Sequence, residues 1–510
     1  MYLNKIKKII IFGGGTSGWL TAAFLSKNLE IPAEITLIED ASQGPIGVGE
    51  GTQPFTAKFL SHCGIPPQAW MKESNASFKY GVELIGWNDE PYFVDNDNPN
   101  NTVIAEDFFT SDYFIDKPYS EFAEWHPAYR LAKKNVCQKF DSYLDVNHQM
   151  GTKDFGAVHF SAYDIIKTIR KLIDHKIKHV DTRIAKIDKD NDGITALTGE
   201  DGKTYSADLY IDCSGFSSIL LEKTLGVPHY SFNQWLLCDS AVVLQTQFTD
   251  PEKECFPYTK ATAMNSGWMF TIPIYTRTGN GYVYSSKHIS KEDAEKELRE
   301  KTGEWDAPAR HLEMRCGNHK EIAYKNVVAV GLSAGFVEPL EATGITFTTS
   351  AVASLCNSLN FSKNIWGLQA KKHINDEFAE MSAEIFTFVW AHYHYCTKSD
   401  TPFWKEVRSQ RLEDMPKFVK DIMDQYLPVP RRFLLMGPRS MFNIVQWFSM
   451  LKAGGAYDNV KPYINDKQRE YAEYYMKCNN YRLDLAEEMF PNHYKYLTEW
   501  YGKDTSSKPN

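Results

Sequence analysis

With 510 residues, the chain can bury a large core or two lobes that share one. Its 24% charged and 43% hydrophobic content is ordinary for a soluble globular protein, and its net charge of −9 argues against a nucleic-acid partner, whose phosphates call for excess Lys and Arg. No apolar run approaches the roughly 20 residues of a membrane span, and the dispersed cysteines, none in CxxC, predict reduced thiols in a cytoplasmic protein with no zinc framework.

In chain order, Ile9, Ile10, Ile11 and Phe12 form a continuous apolar run that predicts a strand buried on both faces. Gly13, Gly15 and Gly18 follow as G-x-G-x-x-G, with Thr16 and Ser17 between them, and then a segment rich in Ala and Leu reads as a helix. Glycines permit a tight turn and close backbone approach, and a helix N-terminus suits a pyrophosphate. A second strand, EITLIE, ends in Glu39, about 26 residues after Gly13 and near the spacing at which a carboxylate binds a ribose. NAD and FAD are indistinguishable at this point. Residues 41–56 are rich in glycine and can press backbone against a ligand.

Residues 57–90 read as helical and then turn-rich. Residues 91–118 read as a long surface loop, a length that usually signals a lid or binding loop. Residues 119–150 read as helical, and 163–177 as an amphipathic helix. Residues 180–211 alternate like strands, with hairpin turns at Asn191-Asp192-Gly193 and Glu200-Asp201-Gly202. Residues 209–215 are a strand running into a glycine turn; 235–290 are β-rich; 327–331 form another buried strand. A helix is expected from about 345 to 360, and a helical pattern from about 368 onward, broken at Pro402, Pro416, Pro428, Pro430 and Pro438. His392 and His394 read as structural, because residues two apart diverge on a helix and no third ligand is spaced nearby. No metal site is expected.

Six stretches then point the same way: FGGGTSGWLTA at 12–22, IGVGEGT at 46–52, FKYG at 78–81, DCSGF at 212–216, SGWMFTIP at 266–273 and AVGLSAGFVEPLEATG at 329–344. Together they resemble the flavin-dependent tryptophan halogenases, whose GWxWxIP and EPLESTG motifs are distinctive. The resemblance covers most of residues 1–360. It implies an α/β fold: an FAD-binding, GR2 or monooxygenase-like Rossmann-type module interleaved with a mainly helical substrate region. The module would occupy 1–360, assembled from separated segments, with substrate-side insertions at about 57–150 and 230–320. Residues 361–510 would form the helical region.

The same resemblance implies the chemistry. FADH2 from a separate flavin reductase reacts with O2 to a C4a-hydroperoxide, and chloride or bromide attacks it to give hypohalous acid. That acid reaches a lysine beside an indole or similar electron-rich aromatic. Lys79 matches this lysine. Its neighbours Phe78 and Tyr80 would desolvate it, which favours a neutral amine able to accept Cl+; an ammonium would instead polarise hypohalous acid by a hydrogen bond. Glu341 matches the catalytic glutamate, with Glu338 its rival. Ala342 stands where the family usually has Ser. Thr343 and Gly344 match the halide-associated amides at a helix start, a geometry that an ordinary helix cap shares. Gly13, Gly15, Thr16, Ser17, Gly18, Glu39, Gly47, Val48, Gly49, Gly331 and Leu332 would hold FAD. Trp268, Phe270, Ile272 and Pro273 would form an apolar wall on the flavin side, with Phe270 replacing the second Trp of the motif.

The Phe-Glu pair that precedes the last helices of the free-tryptophan halogenases is absent between 425 and 455. Arg431, Arg432, Arg439, Trp447 and Phe448 stand there instead. Indole, a substituted indole or a larger indole-containing molecule are all open as substrates, and a homodimer is compatible with the resemblance. The rival readings are a flavin monooxygenase and a non-catalytic flavin-binding protein of halogenase descent.

Overall fold

Ile9, Ile10 and Ile11 are each at most 3% exposed, so both faces of the strand Lys8–Phe12 are covered. That explains a continuous apolar run where a half-exposed strand would alternate. In the computed structural model, which describes residues 5–30, 32–42, 49–96, 112–138, 156–427 and 441–502, this strand lies inside a six-stranded sheet. The order is Ala323–Tyr324, Val327–Ala329, Leu209–Asp212, Lys8–Phe12, Glu34–Glu39, Lys178–Asp181. All neighbours are parallel except the two-residue edge strand Ala323–Tyr324. The register sets Phe12 against Ile38 on one side and Asp212 on the other, with Asp212 against Ala329. The turns that follow these residues therefore emerge along one carboxyl edge, where open α/β sheets bind ligands.

The described residues divide into two compact units. The first comprises Met1–Asn75, Phe160–Gln234 and Met314–Ser382. Besides the large sheet it carries the meander Ile184–Lys189, Ile194–Gly199, Thr204–Tyr205, whose turns hold Gly193 and Gly202 at positive φ, as the Asn-Asp-Gly and Glu-Asp-Gly signals predict. The helix Thr16–Asn28 packs against Ala162–Ile173 and Gly344–Phe361.

The second unit comprises Ala76–His159, Trp235–Glu313 and Ala383–Asn510. Its core is a seven-stranded sheet in the order Arg310–Glu313, Ser240–Thr246, Arg277–Tyr284, Gly267–Ile274, Thr259–Met264, Gly81–Ile85, Tyr92–Asp95. Neighbours are antiparallel except Thr259–Met264 with Gly81–Ile85. Helices follow at Tyr119–Trp125, Pro127–Lys133 and, late in the chain, Pro402–Ser409, Lys417–Tyr426, Ile444–Ala453, Asp466–Met489 and His493–Gly502.

Two expectations change. Residues 57–90 are not simply helical and turn-rich: Phe55–His62 and Pro67–Trp70 give way to the strands Ser77–Lys79 and Gly81–Ile85. Pairing decides their state, because Gly81–Ile85 finds its parallel partner far along the chain at Thr259–Met264. The loop expected over 91–118 instead opens with the strand Tyr92–Asp95; its residues 97–111 lie outside the described set. Among the described residues, no helix is long and apolar enough to cross a membrane. No disulfide joins the cysteines, of which all but Cys478 are buried.

Candidate active site

The first unit builds a dinucleotide cradle at the carboxyl edge of its sheet. Gly13 leaves the strand at φ +113, and a Cβ there would lie 2.4 Å from the Cys213 carbonyl oxygen. Only glycine fits this approach. Gly18 is pinched in the same way: its Cβ would lie 1.9 Å from the Gly13 oxygen. Gly15 differs. It is the N-cap of the helix Thr16–Asn28, with no side chain of its own to bond the first-turn amides, and a Cβ at Gly15 would meet nothing within 4 Å. A helix start without a capping side chain at its N-cap and with open space beside it suits a pyrophosphate, so the chain fits the group.

Glu39 closes the cradle at the end of its strand. Its Oε1 is 2.7 Å from His179 Nε2 and 3.7 Å from Arg170. Its Oε2 lies where a Cβ at Gly14 would come within 1.6 Å. Gly14, the x of the G-x-G motif, is thus crowded like Gly13 and Gly18, at a position where the pattern does not demand glycine. Gly331 (φ +72) brings a third segment against the helix: its Cβ would lie 2.1 Å from Ser17 Oγ, and Ser17 hydroxyl bonds Thr348 at 2.8 Å. Leu332 follows in the short helical turn Gly331–Ser333. The positions expected to bind flavin in the glycine motif, at Glu39 and at Gly331 and Leu332 therefore all belong to this unit. Gly49 is described, at φ +128, whereas Gly47 and Val48 lie outside the described residues.

Glu341 also lies in the first unit, fully buried at the end of the turn Pro339–Glu341. The Gln53 side-chain amide donates to the Glu341 carbonyl at 2.6 Å, a contact with no signal in the sequence. Ala342 then adopts φ +54, a conformation that reverses the chain into the helix Gly344–Phe361. Thr343 precedes that helix without capping it through its side chain. The hydroxyls of Thr343 and Thr346 are buried and have no hydrogen-bond partner among the described residues. Two such hydroxyls at the start of a long helix suit an anion or a polar ligand edge. Glu338, the rival acid, is buried one turn earlier.

The second unit holds Lys79. The strand Ser77–Lys79 is buried throughout, and Lys79 is 1% exposed. Its register sets Ser77 against His159, Phe78 against Val158 and Lys79 against Ala157. His159 donates from Nδ1 to the Pro273 carbonyl at 3.1 Å, and its Nε2 lies 2.8 Å from the Thr259 hydroxyl. Burial first, then the charge of Lys79, holds the His159 pKa well below the ordinary histidine value. On the strand Gly267–Ile274, Trp268, Phe270 and Ile272 share one face by alternation, and Trp268 and Pro273 are buried. Phe270 lies across Gly281 on the next strand, where a Cβ would come within 2.1 Å of the ring.

Comparison with known proteins gives this assembly a context. The tryptophan halogenase family model matches residues 8–468. The chain is 32% identical over 438 residues to tryptophan 7-halogenase RebH of Lentzea aerocolonigenes, covering 81% of this chain and 80% of that protein. It is 31% identical over 456 residues to tryptophan 6-halogenase ThaL of Streptomyces albogriseolus, covering 84% and 83%. The chain belongs to the tryptophan halogenase family. Among solved structures, a flavin-dependent halogenase from Xanthomonas campestris superimposes with a TM-score of 0.84 at 26% identity, over 98% of this chain and 99% of that one. The tryptophan 6-halogenase of Streptomyces toxytricini gives 0.85 at 28% identity, over 97% and 100%.

The protein is therefore an enzyme, a flavin-dependent halogenase with the mixed α/β fold of its family. Two departures from the family motifs acquire a physical meaning. Phe270, in place of Trp, packs its ring on a glycine. Ala342, in place of Ser, sits at a positive φ that its Cβ makes costly. His392 and His394 are engaged within the second unit: His392 Nδ1 lies 2.7 Å from the Tyr92 hydroxyl, and His394 Nδ1 3.0 Å from the Gln410 carbonyl. Trp447 stacks on Tyr426 with ring centroids 4.0 Å apart. Arg431, Arg432 and Arg439 lie outside the described residues.

Proposed function

We propose that this halogenase uses FADH2, O2 and chloride or bromide to halogenate an indole or similar electron-rich aromatic, with Lys79 and Glu341 carrying the last step. The observation that carries the reading is the burial of Lys79, at 1% exposure, in a strand that matches the family's FKYG motif. A lysine is almost never buried without a partner or a task. Bound reduced FAD supplies the two-electron chemistry with O2 that turns halide into hypohalous acid. The residues of the glycine motif, Glu39, Gly49, Gly331 and Leu332 hold the flavin, and Gly47 and Val48 are assigned to the same task by the motif alone. Thr343 and Gly344 are the halide side of that site. Trp268, Phe270, Ile272 and Pro273 keep bulky substrates from the oxidant.

Lys79 then handles the hypohalous acid. As an amine it takes the halogen from HOX, forming N–X and releasing water. As an ammonium it hydrogen-bonds HOX and polarises the O–X bond. In either case a ring carbon forms the C–X bond as N–X or O–X breaks. The bond pair stays on the nitrogen, which takes a proton from water to restore the amine, or on the oxygen, which takes the ammonium proton and leaves as water. The proton lost from the ring carbon passes to the Glu341 carboxylate. A separate flavin reductase supplies FADH2. The relatives RebH and ThaL are named for tryptophan; the missing Phe-Glu pair favours an indole without the free amino-acid end for this chain.

The test is incubation with FAD, a flavin reductase, NADH and bromide on a panel of indole, substituted indoles and tryptophan, followed by mass spectrometry. A brominated indole that disappears in Lys79→Ala, with FAD affinity kept, is the expected result. Hydroxylation without bromine would replace this reading with a monooxygenase. An empty panel would favour a flavin-binding protein without catalysis.

A further inference from the structure

Among the described residues, the strand that bears Lys79 is an edge strand, and its other side meets the helix His493–Gly502. Ser77–Lys79 pairs, among the described residues, with one strand, Ala157–Phe160. An edge strand presents amides that need partners elsewhere. The Phe78 amide finds one in His493 Nε2 at 3.1 Å. His493 Nδ1 lies 2.8 Å from the Cys255 carbonyl. Tyr501, on the same helix, donates its hydroxyl to the Ala76 carbonyl at 2.6 Å. Tyr496 stacks on the Phe78 ring, with centroids 6.3 Å apart and planes 20° apart. Three side chains of the helix His493–Gly502 thus grip residues 76 and 78. The family-matched span ends at residue 468, so this helix lies beyond it.

The hydrogen-bond chemistry at His493 is directional. A backbone N–H can only donate, so Nε2 must present its lone pair to Phe78. A carbonyl can only accept, so Nδ1 must carry the proton. The ring is therefore a neutral imidazole of one tautomer, fully buried, and burial pushes its pKa down to about 4. The imidazole takes the place of a missing neighbouring strand at the residue beside Lys79. Side chains alternate along a strand, so fixing Phe78 fixes the direction in which Lys79 leaves the backbone.

We infer that His493 is a positioning residue for Lys79, acting through its acceptor bond to the Phe78 amide. The inference rests on the role proposed for Lys79. A lysine held off target still leaves the flavin site able to make hypohalous acid. The acid then escapes without meeting the ring, and the ratio of escaped oxidant to halogenated product rises. That ratio is blind to a loss of folded protein, because unfolded chains contribute to neither quantity.

Three variants separate the bonds. In His493→Gln the side-chain oxygen reaches the Nε2 position and accepts from Phe78. In His493→Asn only the donor near Cys255 is kept. In His493→Phe the volume stays and both bonds go. With FAD, a flavin reductase, NADH, bromide and indole, hypobromous acid is caught by a diketone scavenger and bromoindole is counted by mass spectrometry. Hydrogen exchange of the peptide spanning 76–80 reads the clamp without any substrate. The Asn and Phe variants are expected to speed that exchange and to raise the oxidant-to-product ratio about tenfold, with Gln close to wild type. Unchanged exchange in His493→Phe would remove the clamp. Faster exchange with an unchanged ratio would leave His493 a structural residue only, as would a Gln variant as impaired as Phe. Lys79→Ala is the separate control: if it keeps bromoindole formation, the role of Lys79 fails while the clamp measured by exchange still stands.

Discussion

Gln53 holds Glu341 by its backbone: the side-chain amide donates to the Glu341 carbonyl at 2.6 Å, and both residues are at most 2% exposed. The bond joins the glycine-rich segment after the second strand to the turn before the helix Gly344–Phe361. Gln53→Leu keeps much of the volume and removes the donor. Losing one partner of a buried hydrogen bond costs about 1–3 kcal/mol. The expected outcome is a lower midpoint of chemical unfolding together with slower halogenation. A variant with unchanged stability would mean that this contact does not fix the turn.

The glycines of the cradle divide into two kinds, and alanine scanning should tell them apart. Gly15 is extended, with φ −73, and has open space where a Cβ would go. Gly15→Ala should therefore change stability by under about 1 kcal/mol while obstructing the phosphate path. A tenfold weaker FAD affinity, about 1.4 kcal/mol, is expected in a fluorescence titration. Gly331 is the opposite case, at φ +72 with Ser17 Oγ 2.1 Å from a would-be Cβ. Gly331→Ala should lower stability of the apoprotein by about 1–2 kcal/mol from the backbone alone. Equal stability losses in the two variants would contradict this division.

The contrast shows what the sequence can and cannot reveal. Gly13, Gly15 and Gly18 are legible because their spacing is local and the strand before them is unbroken. The surroundings of Lys79 are not. Its strand is three residues long, its neighbour Gly81–Ile85 pairs with a distant segment, and its edge is closed by His493, 415 positions beyond Phe78. No periodicity records such contacts, since each depends on chain closure and not on neighbours in sequence. The same holds for Gln53 at Glu341. Gly14 carries a weaker signal: a glycine at a free position of the motif, opposite an acid whose carboxylate needs the room.

Ala342 adopts φ +54 and ψ 39 on the turn between Glu341 and Thr343. An L-residue pays about 1–2 kcal/mol there. Glycine would relieve that strain but gives the unfolded chain about 0.5–1 kcal/mol more conformational entropy to lose. The strain is the larger of the two, so Ala342→Gly should raise stability by up to about 1 kcal/mol. A calorimetric midpoint that falls on this substitution would show that the Ala342 methyl packs favourably enough to outweigh its backbone. Ala342→Ser, which restores the usual family residue, keeps the same strain and should leave the midpoint unchanged.

His493 also predicts how the protein responds to acid. Burial holds its folded pKa down to about 4, while its unfolded value stays near the ordinary 6.5. Between those values the unfolded chain takes up a proton that the native ring refuses, so stability falls as pH drops from about 6.5 to 4. Above 6.5 both states are neutral and the effect vanishes. A shift of this size corresponds to about 3 kcal/mol over the whole window. The Phe78 amide, the Cys255 carbonyl and the ring of Phe78 lie against the imidazole and His159 is within electrostatic reach, so among the described residues only a second histidine, and no acid, meets an imidazolium there. His159 and His229, whose pKa values are also depressed, add slopes of the same sign. His493→Gln removes one titrating group, keeps an acceptor for Phe78 and also lifts the part of the His159 depression that the charge of His493 causes. Urea midpoints measured between pH 4 and 7 should therefore fall less steeply in the Gln variant. Identical slopes in the two proteins would mean that His493 does not titrate in this window and that its neutral form is not what holds the lysine strand.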